Sequence, residues 1–305
     1  MAEEVILSHL FFRPCVGTYR INERNHTMTI RETYLTAVRH LKTVGNESPE
    51  FDAIQLLQAV TGITKARLPL DGDREITAKE YNTYMALVKR REEQYPLQYL
   101  LGEWEFYGLT FAVGEGVLIP RADTETLVET GLALLKGVSR PVVYDLCSGS
   151  GCIAAAIASK RPDAEVYAVE LSEKALPYLT KNVEPFPNIK VLHGDVLEVM
   201  EQLPPCHLIL SNPPYLSDDE MEHLQAEVIF EPAMALRADH LGLYFYEEIT
   251  KRYQQNLLPG GAIAYEVGYT QSGAVAEIME KSGMTDIAVH KDLGGIERVV
   301  AAKKQ

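Results

Sequence analysis

Residues 212–215 read "NPPY" and follow directly on the apolar run "HLILS". Proline lacks a backbone N–H and fixes φ, so two in succession end a strand and stiffen its exit. Their carbonyls are left without ladder partners, beside the Asn212 side chain. This is a small rigid polar clamp. A planar N–H₂ group, on an amide or an amino-base, is a poor nucleophile because its lone pair is delocalised. The Asn212 oxygen and the Pro213 carbonyl can each accept one of its hydrogens, localise lone-pair density and aim the nitrogen. That is catalysis by orientation and electrostatics, with no ionised base. Pro214 completes the turn, and Tyr215 is expected to pack over the plane of the held group.

A second constellation asks for a partner to that nitrogen. "DLCSGSGC" places Gly149 and Gly151 between a strand and a helix, where a ligand can approach backbone N–H groups. Glu170 follows Gly151 by 19 residues, at the end of the next strand, where a carboxylate can accept from both hydroxyls of a ribose. Alone, the first feature is compatible with a tight turn and the second with a helix cap. Together they point to a nucleoside-containing cofactor. "GSGCIA" also fits the G-x-G-x-x-A dinucleotide fingerprint. Asp145, just ahead of the loop, would repel a pyrophosphate but suit the ammonium and sulfonium of S-adenosyl-L-methionine. Asp195, in "HGDVL", is placed to accept from an adenine amino group.

These residues need a frame. After Pro141 the chain alternates strands and helices. "VVYDLC" (142–147), "EVYAVE" (165–170), the run 189–193, "HLILS" (207–211) and "AIAYEVG" (262–268) read as strands, and "IAAAIASK" as a helix. The pattern is α/β, a doubly wound and mostly parallel sheet. Ligands in such sheets bind at the carboxyl ends of the strands. The polar residues at 145–151, 170, 195 and 212–215 all fall there.

Upstream, Thr29 to Glu93 is helical. Thr29 with Glu32 and Thr77 with Glu80 are capping boxes, Ser48-Pro49 is an N-cap signal, and Gly62 is a stop. "EWEFYGLTFAV" alternates around Gly108 like a β-hairpin, and "RADTETLVETGLALLKG" predicts a helix capped by Asp123 and closed by Gly137. Pro177 is expected to distort the helix that follows Glu170. The expected organisation is an extension over 1–27, a helical domain over 28–95, a hairpin linker over 96–120 and an α/β domain over 121–305.

Composition sets the outer limits. No apolar run approaches the roughly 18–20 residues that cross a bilayer. The net charge of −14 argues against a general nucleic-acid binder. The four cysteines form no CxxC pair, which fits reduced thiols and a cytoplasmic location. The eight histidines show no metal-ligand spacing, so no metal is expected. Residues 1–27 carry three acids and three arginines, unlike a secretory signal or a transit peptide. Met28 is therefore read as the start of the folded protein, the extension being a disordered tail or a start-site artefact.

The blocks "YPLQYLLGEWEFYGL", "VLIPRADTE", "DLCSGSGCIA", "AVELS", "GDVL", "SNPPY", "EPAMAL", "LLPGGAIAYEVGYTQ" and "DLGGIERVV", in this order from about Met28 to the C-terminus, resemble the HemK-type release factor glutamine methyltransferases. The resemblance implies a class I S-adenosylmethionine-dependent methyltransferase. Its Rossmann-like sheet would have seven strands, joined by the hairpin linker to a small helical domain that recognises the substrate. It implies methyl transfer to the side-chain amide of the Gln in the GGQ motif of peptide chain release factors; a monomer is expected. Carried over, Asp145, Cys147, Ser148, Gly149, Ser150, Gly151, Glu170, Asp195, Val196 and Asn212 would line the cofactor. Asn212, Pro213, Pro214 and Tyr215 would hold the glutamine, with Asn212, Pro213 and Tyr215 catalytic. The chain departs from the family at Ala122-Asp123 (usually Pro-Glu), Cys147 (usually Gly), and Leu241 and Glu247 (usually Asp and Arg). Rival readings are a glutamine methyltransferase acting on a ribosomal protein, a nucleic-acid amino-methyltransferase with the same clamp, a non-catalytic cofactor-binding module, and a nicotinamide oxidoreductase, which Asp145 disfavours.

Overall fold

Thr29 opens the first helix through a reciprocal cap. Its hydroxyl accepts from the Glu32 amide at 3.2 Å, and the Glu32 carboxylate accepts from the Thr29 amide at 2.9 Å. Helices α1 (Ile30–Thr43), α2 (Pro49–Thr61), α3 (Ala78–Glu92) and α4 (Leu97–Leu101) follow in the computed structural model, which describes residues 28–305. The expectation for residues 1–27 lies outside the described residues. Thr77 and Glu80 repeat the cap at α3. At α2 the expected Ser48 cap is absent. Instead Asn46 accepts from the Ser48 amide at 2.8 Å, and Pro49 supplies a first turn that needs no N–H. Ile30, Leu41, Leu56, Leu57, Tyr84 and Val88 form the helical core, with a buried Asp52–Arg91 pair at 2.6 Å. The chain divides into two compact units after Gly102, so α4 belongs to the helical unit although its residues were assigned to a linker.

The second unit starts with a hairpin, β1 (Glu103–Phe106) and β2 (Leu109–Ala112). Tyr107 (φ 52°) and Gly108 (φ 74°) turn it, both left-handed as a two-residue turn of the primed type requires. Seven further strands form one sheet: β3 (Val142–Leu146), β4 (Glu165–Glu170), β5 (Ile189–His193), β6 (Cys206–Ser211), β7 (Leu257–Glu266), β8 (Thr285–Lys291) and β9 (Glu297–Lys303). Their order is β5-β4-β3-β6-β7-β9-β8, with β9 antiparallel to both neighbours and the rest parallel.

Period-two alternation divides the core between the two faces. Val143, Val166, Ala168, Leu208 and Leu210 pack on one side against helices α5 (Glu125–Leu134), α6 (Cys152–Lys160) and α7 (Leu176–Val183). Tyr144, Leu146, Val169, Ile209 and Ile263 pack on the other against α8 (Tyr244–Tyr253) and α9 (Ser272–Lys281). The chain steps outward from β3 to β5 and returns to β6 on the other side of β3. The switch point, and the crevice it opens, therefore lies between the carboxyl ends of β3 and β6.

Two local expectations need correction. Pro177 does not distort a helix, because α7 starts only at Leu176 and places the proline in its first turn. Asp123 does not cap α5. It sits in a preceding 3-10 turn and pairs with Arg298 at 3.2 Å.

Candidate active site

A cavity of about 280 Å³ opens at the carboxyl ends of β3 to β6. Its lining includes Cys147 to Ser150, Glu170, Asp195, Val196, Asn212 and Pro214 among the residues expected there, together with Arg121 and Thr124. Asp145, Gly151, Pro213 and Tyr215 do not line it.

The loop after β3 alternates in hand. Cys147 (φ 63°), Gly149 (φ 54°) and Gly151 (φ 79°) are all left-handed. The two glycines are needed for different reasons. A side chain at Gly149 would meet nothing within 4 Å, so this backbone faces open space where a ligand can approach. A Cβ at Gly151 would lie 2.5 Å from Leu179, so that glycine serves packing and backbone shape. Cys147 occupies a conformation that favours glycine, which accounts physically for the glycine usual at this position.

Glu170 is 8% exposed and ties the loop to its strand. One carboxylate oxygen accepts from the Gly149 amide at 2.7 Å and the other from the Ser172 amide at 2.6 Å. Asp195 accepts from the Leu197 amide at 2.8 Å, and the Tyr253 hydroxyl donates to the Val196 carbonyl at 2.6 Å, fixing the neighbouring wall. Asp145 is fully buried behind the loop. One of its oxygens accepts from the Ala154 amide at 3.0 Å in the first turn of α6, and the other has no partner. Burial pushes its pKa up to about 7, with the nearby Glu170 adding to the rise. The expected ligand contact of Asp145 is thus replaced by a bracing position beneath the loop.

Asn212 lies at the mouth of the switch point, and its Nδ2 donates to the Thr124 hydroxyl at 3.5 Å. Pro213 and Pro214 are buried, so the turn is held on both sides. The Tyr215 ring packs into the core on the α8 side of the sheet, and burial raises its pKa. Its amide donates to the Leu236 carbonyl at 3.1 Å and its carbonyl accepts from Gln271 at 2.9 Å. Gly242 passes beneath. A Cβ there would sit 2.0 Å from the Tyr215 carbonyl oxygen.

Several residues of this site carried no assigned role in the sequence. Arg121 lines the cavity and pairs with Glu231, whose second oxygen accepts from the Ile119 amide at 3.0 Å. Asn182 ties the Ser150 carbonyl (2.9 Å) to both backbone groups of Ala112. Glu266, at the end of β7, is 2% exposed. The signal for Glu266 was the one that revealed Glu170, an acid closing an apolar strand. With Arg121 committed to Glu231, the cavity presents carboxylates, which suits a cationic nucleoside better than a pyrophosphate. Among the described residues no cluster of His, Cys, Asp or Glu could hold a metal ion.

Comparison with known proteins gives the following. The PrmC N-terminal domain family matches residues 32–102, and the methyltransferase small domain family matches residues 124–254. A release factor glutamine methyltransferase from Fusobacterium nucleatum is 38% identical over 272 residues, covering 88% of this chain and 77% of that protein. Its counterpart from Thermodesulfovibrio yellowstonii is 39% identical, covering 83% and 92%, and that from Clostridium botulinum is 34% identical, covering 91% and 100%. The hMettl16 catalytic domain, solved in complex with MAT2A 3'UTR hairpin 6, superposes with a TM-score of 0.55 over 82% of this chain and 91% of that one, at 16% identity, a likeness of fold alone.

Proposed function

Because the chain belongs to the release factor glutamine methyltransferase family, we propose that it methylates the side-chain amide nitrogen of the Gln in the GGQ motif of peptide chain release factors. Its fold is that of the class I methyltransferases, and its cofactor is S-adenosyl-L-methionine. The observation that carries the proposal is the meeting, in one cavity, of an acid-tethered glycine loop and the Asn-Pro-Pro turn.

When bound, S-adenosyl-L-methionine supplies an electrophilic methyl group on a sulfonium. The residues around it have separable tasks. Each Glu170 oxygen uses one lone pair on a backbone amide and keeps another for a ribose hydroxyl. Asp195 would accept from the adenine amino group, with Val196 beside it. The two hydrogens of the glutamine amide are assigned to Asn212 Oδ1, which lines the cavity, and to the backbone carbonyl of Pro213 in the same turn, so that the nitrogen lone pair would be aimed as the new N–C bond forms and the sulfonium C–S bond breaks. The alkylated nitrogen, now acidic, would lose one proton to water after transfer, so no ionised side-chain base is needed. The buried prolines keep the clamp from yielding. Tyr215 anchors the turn from its core side and is assigned no contact with the glutamine.

The helical unit, matched by the PrmC N-terminal domain family, is assigned to recognition of the release factor, and the reaction to the cytoplasm. Labelled S-adenosylmethionine, incubated with the protein and a purified release factor, should transfer label to the factor. A GGQ→GGA factor and a DNA control should stay unlabelled. Label in the DNA, or undiminished label in the GGA factor, would overturn the proposal.

A further inference from the structure

The segment "EPAMAL" (231–236) lies outside both the glycine loop and the Asn-Pro-Pro turn, yet it opens on a buried carboxylate. The Glu231 side chain is 2% exposed, and both of its oxygens are engaged. Oε2 accepts from the Ile119 amide at 3.0 Å, and Oε1 pairs with Arg121 Nη2. These partners stand 112 and 110 positions upstream, so the carboxylate serves no local turn. A carboxylate taken out of water needs such partners, and here they come from a single distant segment.

That segment is residues 113–121, a strap between β2 and the turn ahead of α5 that forms neither helix nor strand. It is held from outside. At its start Asn182 bonds both backbone groups of Ala112 and also the Ser150 carbonyl of the glycine loop. A Cβ at Gly116 would lie 2.7 Å from Lys174, so the strap lies close against the approach to α7. Glu231 holds its end. Gly116, Leu118 and Arg121 of the strap line the cavity. The other side of Glu231 leads to the clamp. Pro232, Met234 and Ala235 line the same cavity. The Leu236 carbonyl accepts from the Tyr215 amide at 3.1 Å and the Leu216 amide at 2.8 Å, and the Ala238 amide donates to the Leu216 carbonyl at 2.9 Å. Residues 231–238 are thus zipped to the end of the clamp turn, and Glu231 joins them to the strap.

We propose that Glu231 is a positioning residue for the methyl transfer, which ties the 113–121 strap to the clamp-bearing segment and so keeps the cofactor side of the cavity in register with Asn212. The proposal rests on the function proposed above and adds to it a group that sets the spacing of the two halves of the site. Transfer between two bound groups depends on their alignment, and a displacement of about 1 Å can cost about 10²-fold in rate. A strap without regular structure does not supply that precision by itself. The ion pair is unequal, with Arg121 37% exposed and Glu231 2%. The acid is therefore the fixed member, and the arginine ties the strap to it. A glutamine at 231 keeps an oxygen for the Ile119 amide but turns an N–H₂ toward the guanidinium, donor against donor, and so releases Arg121.

The test compares Glu231→Gln, Arg121→Met and Arg121→Lys with wild type, in the full chain. One measurement needs no turnover. In the ligand-free protein, amide hydrogen exchange over residues 113–121 should be about 10-fold faster in Glu231→Gln and Arg121→Met, while β3 and β6 keep the wild-type rate. With saturating S-adenosylmethionine and a purified release factor, kcat should fall about 10- to 100-fold in these two variants, with KM for the factor nearly unchanged. The pair uses one guanidinium nitrogen, so Arg121→Lys should recover most of the rate and the slow exchange. A merely structural brace would lower the melting temperature and leave kcat per folded molecule unchanged. Wild-type kcat in folded Glu231→Gln or Arg121→Met, strap exchange unchanged in both, or a loss in Arg121→Lys equal to that in Arg121→Met would overturn the inference. If Glu231→Gln does not fold, Arg121→Met, altered at the more exposed member, decides. A wild-type protein that labels no release factor would instead overturn the proposed function, leaving the exchange measurement to decide the brace.

Discussion

Replacing Glu170 by Gln should cost both fold stability and cofactor affinity, and the structure fixes the size of each loss. The two carboxylate oxygens accept separate backbone amides, from Gly149 at 2.7 Å and Ser172 at 2.6 Å. Glutamine keeps one acceptor and turns an N–H₂ toward the other amide, leaving a largely buried donor unsatisfied. That costs about 1–3 kcal/mol. In a unit of this size it lowers the melting temperature by roughly 2–4 °C per kcal/mol, measured by calorimetry on the ligand-free protein. Cofactor affinity should fall further, because the ribose loses a charged acceptor. A hydrogen bond to a charged group contributes about 1.5–3 kcal/mol, or about 10- to 150-fold in Kd. Titration calorimetry with S-adenosylmethionine reads this directly. An unchanged melting temperature would refute the bracing of the loop. An unchanged Kd would refute the ribose assignment.

Three further outcomes are expected. Asn212→Ala should lower single-turnover methylation about 10²- to 10³-fold at saturating cofactor while barely changing cofactor Kd, with Asn212→Asp partly active; a large affinity loss with the rate preserved would make Asn212 a cofactor residue only. A protein lacking residues 28–102 should bind S-adenosylmethionine nearly as well as the full chain yet fail to methylate release factor, so full activity in residues 103–305 alone would remove the recognition role of the helical unit. Asp145→Asn should change the pH dependence of stability. The folded pKa is raised to about 7 from an ordinary 3.8, so the native state holds the extra proton between these values and the Asp145 contribution to stability falls as pH rises through that window, then levels off. The variant should lose that slope in denaturant melts at pH 4–8 and gain stability over wild type at pH 8; an unaltered slope would contradict it.

The strands legible in the sequence were those buried on both faces. Val142–Leu146, Glu165–Glu170 and Cys206–Ser211 are largely apolar runs with a polar residue at or next to the carboxyl end, and both burial and the topological rule act on them alike. The β8–β9 pair was not assigned residue by residue. Its outer strand, Thr285–Lys291, has only half-buried and exposed positions, and His290 and Lys291 face solvent. Capping boxes were legible because both partners lie within one turn. The Asp123 cap was misjudged because its carboxylate is drawn to Arg298, 175 positions away in sequence, and no local pattern reports such a partner.

Site legibility follows the same division between local and remote cause. Glu170 and Asn212 could be placed at the cavity from the sequence because a polar side chain ending a buried strand has few structural reasons to be there. The same signal misplaced Asp145. Its backbone position is right, but its carboxylate turns back to the Ala154 amide in the first turn of α6. Direction at a strand end depends on which donors the following helix offers, and that is a tertiary fact. Two departures from the family pattern lie away from the cavity. Leu241 is 81% exposed, and Glu247 pairs with His240 at 2.8 Å. Neither is among the residues that line the cavity, whereas Gly242 between them, held against the Tyr215 carbonyl, cannot change without displacing the clamp. What the site requires at that segment is close backbone approach rather than a particular flanking charge.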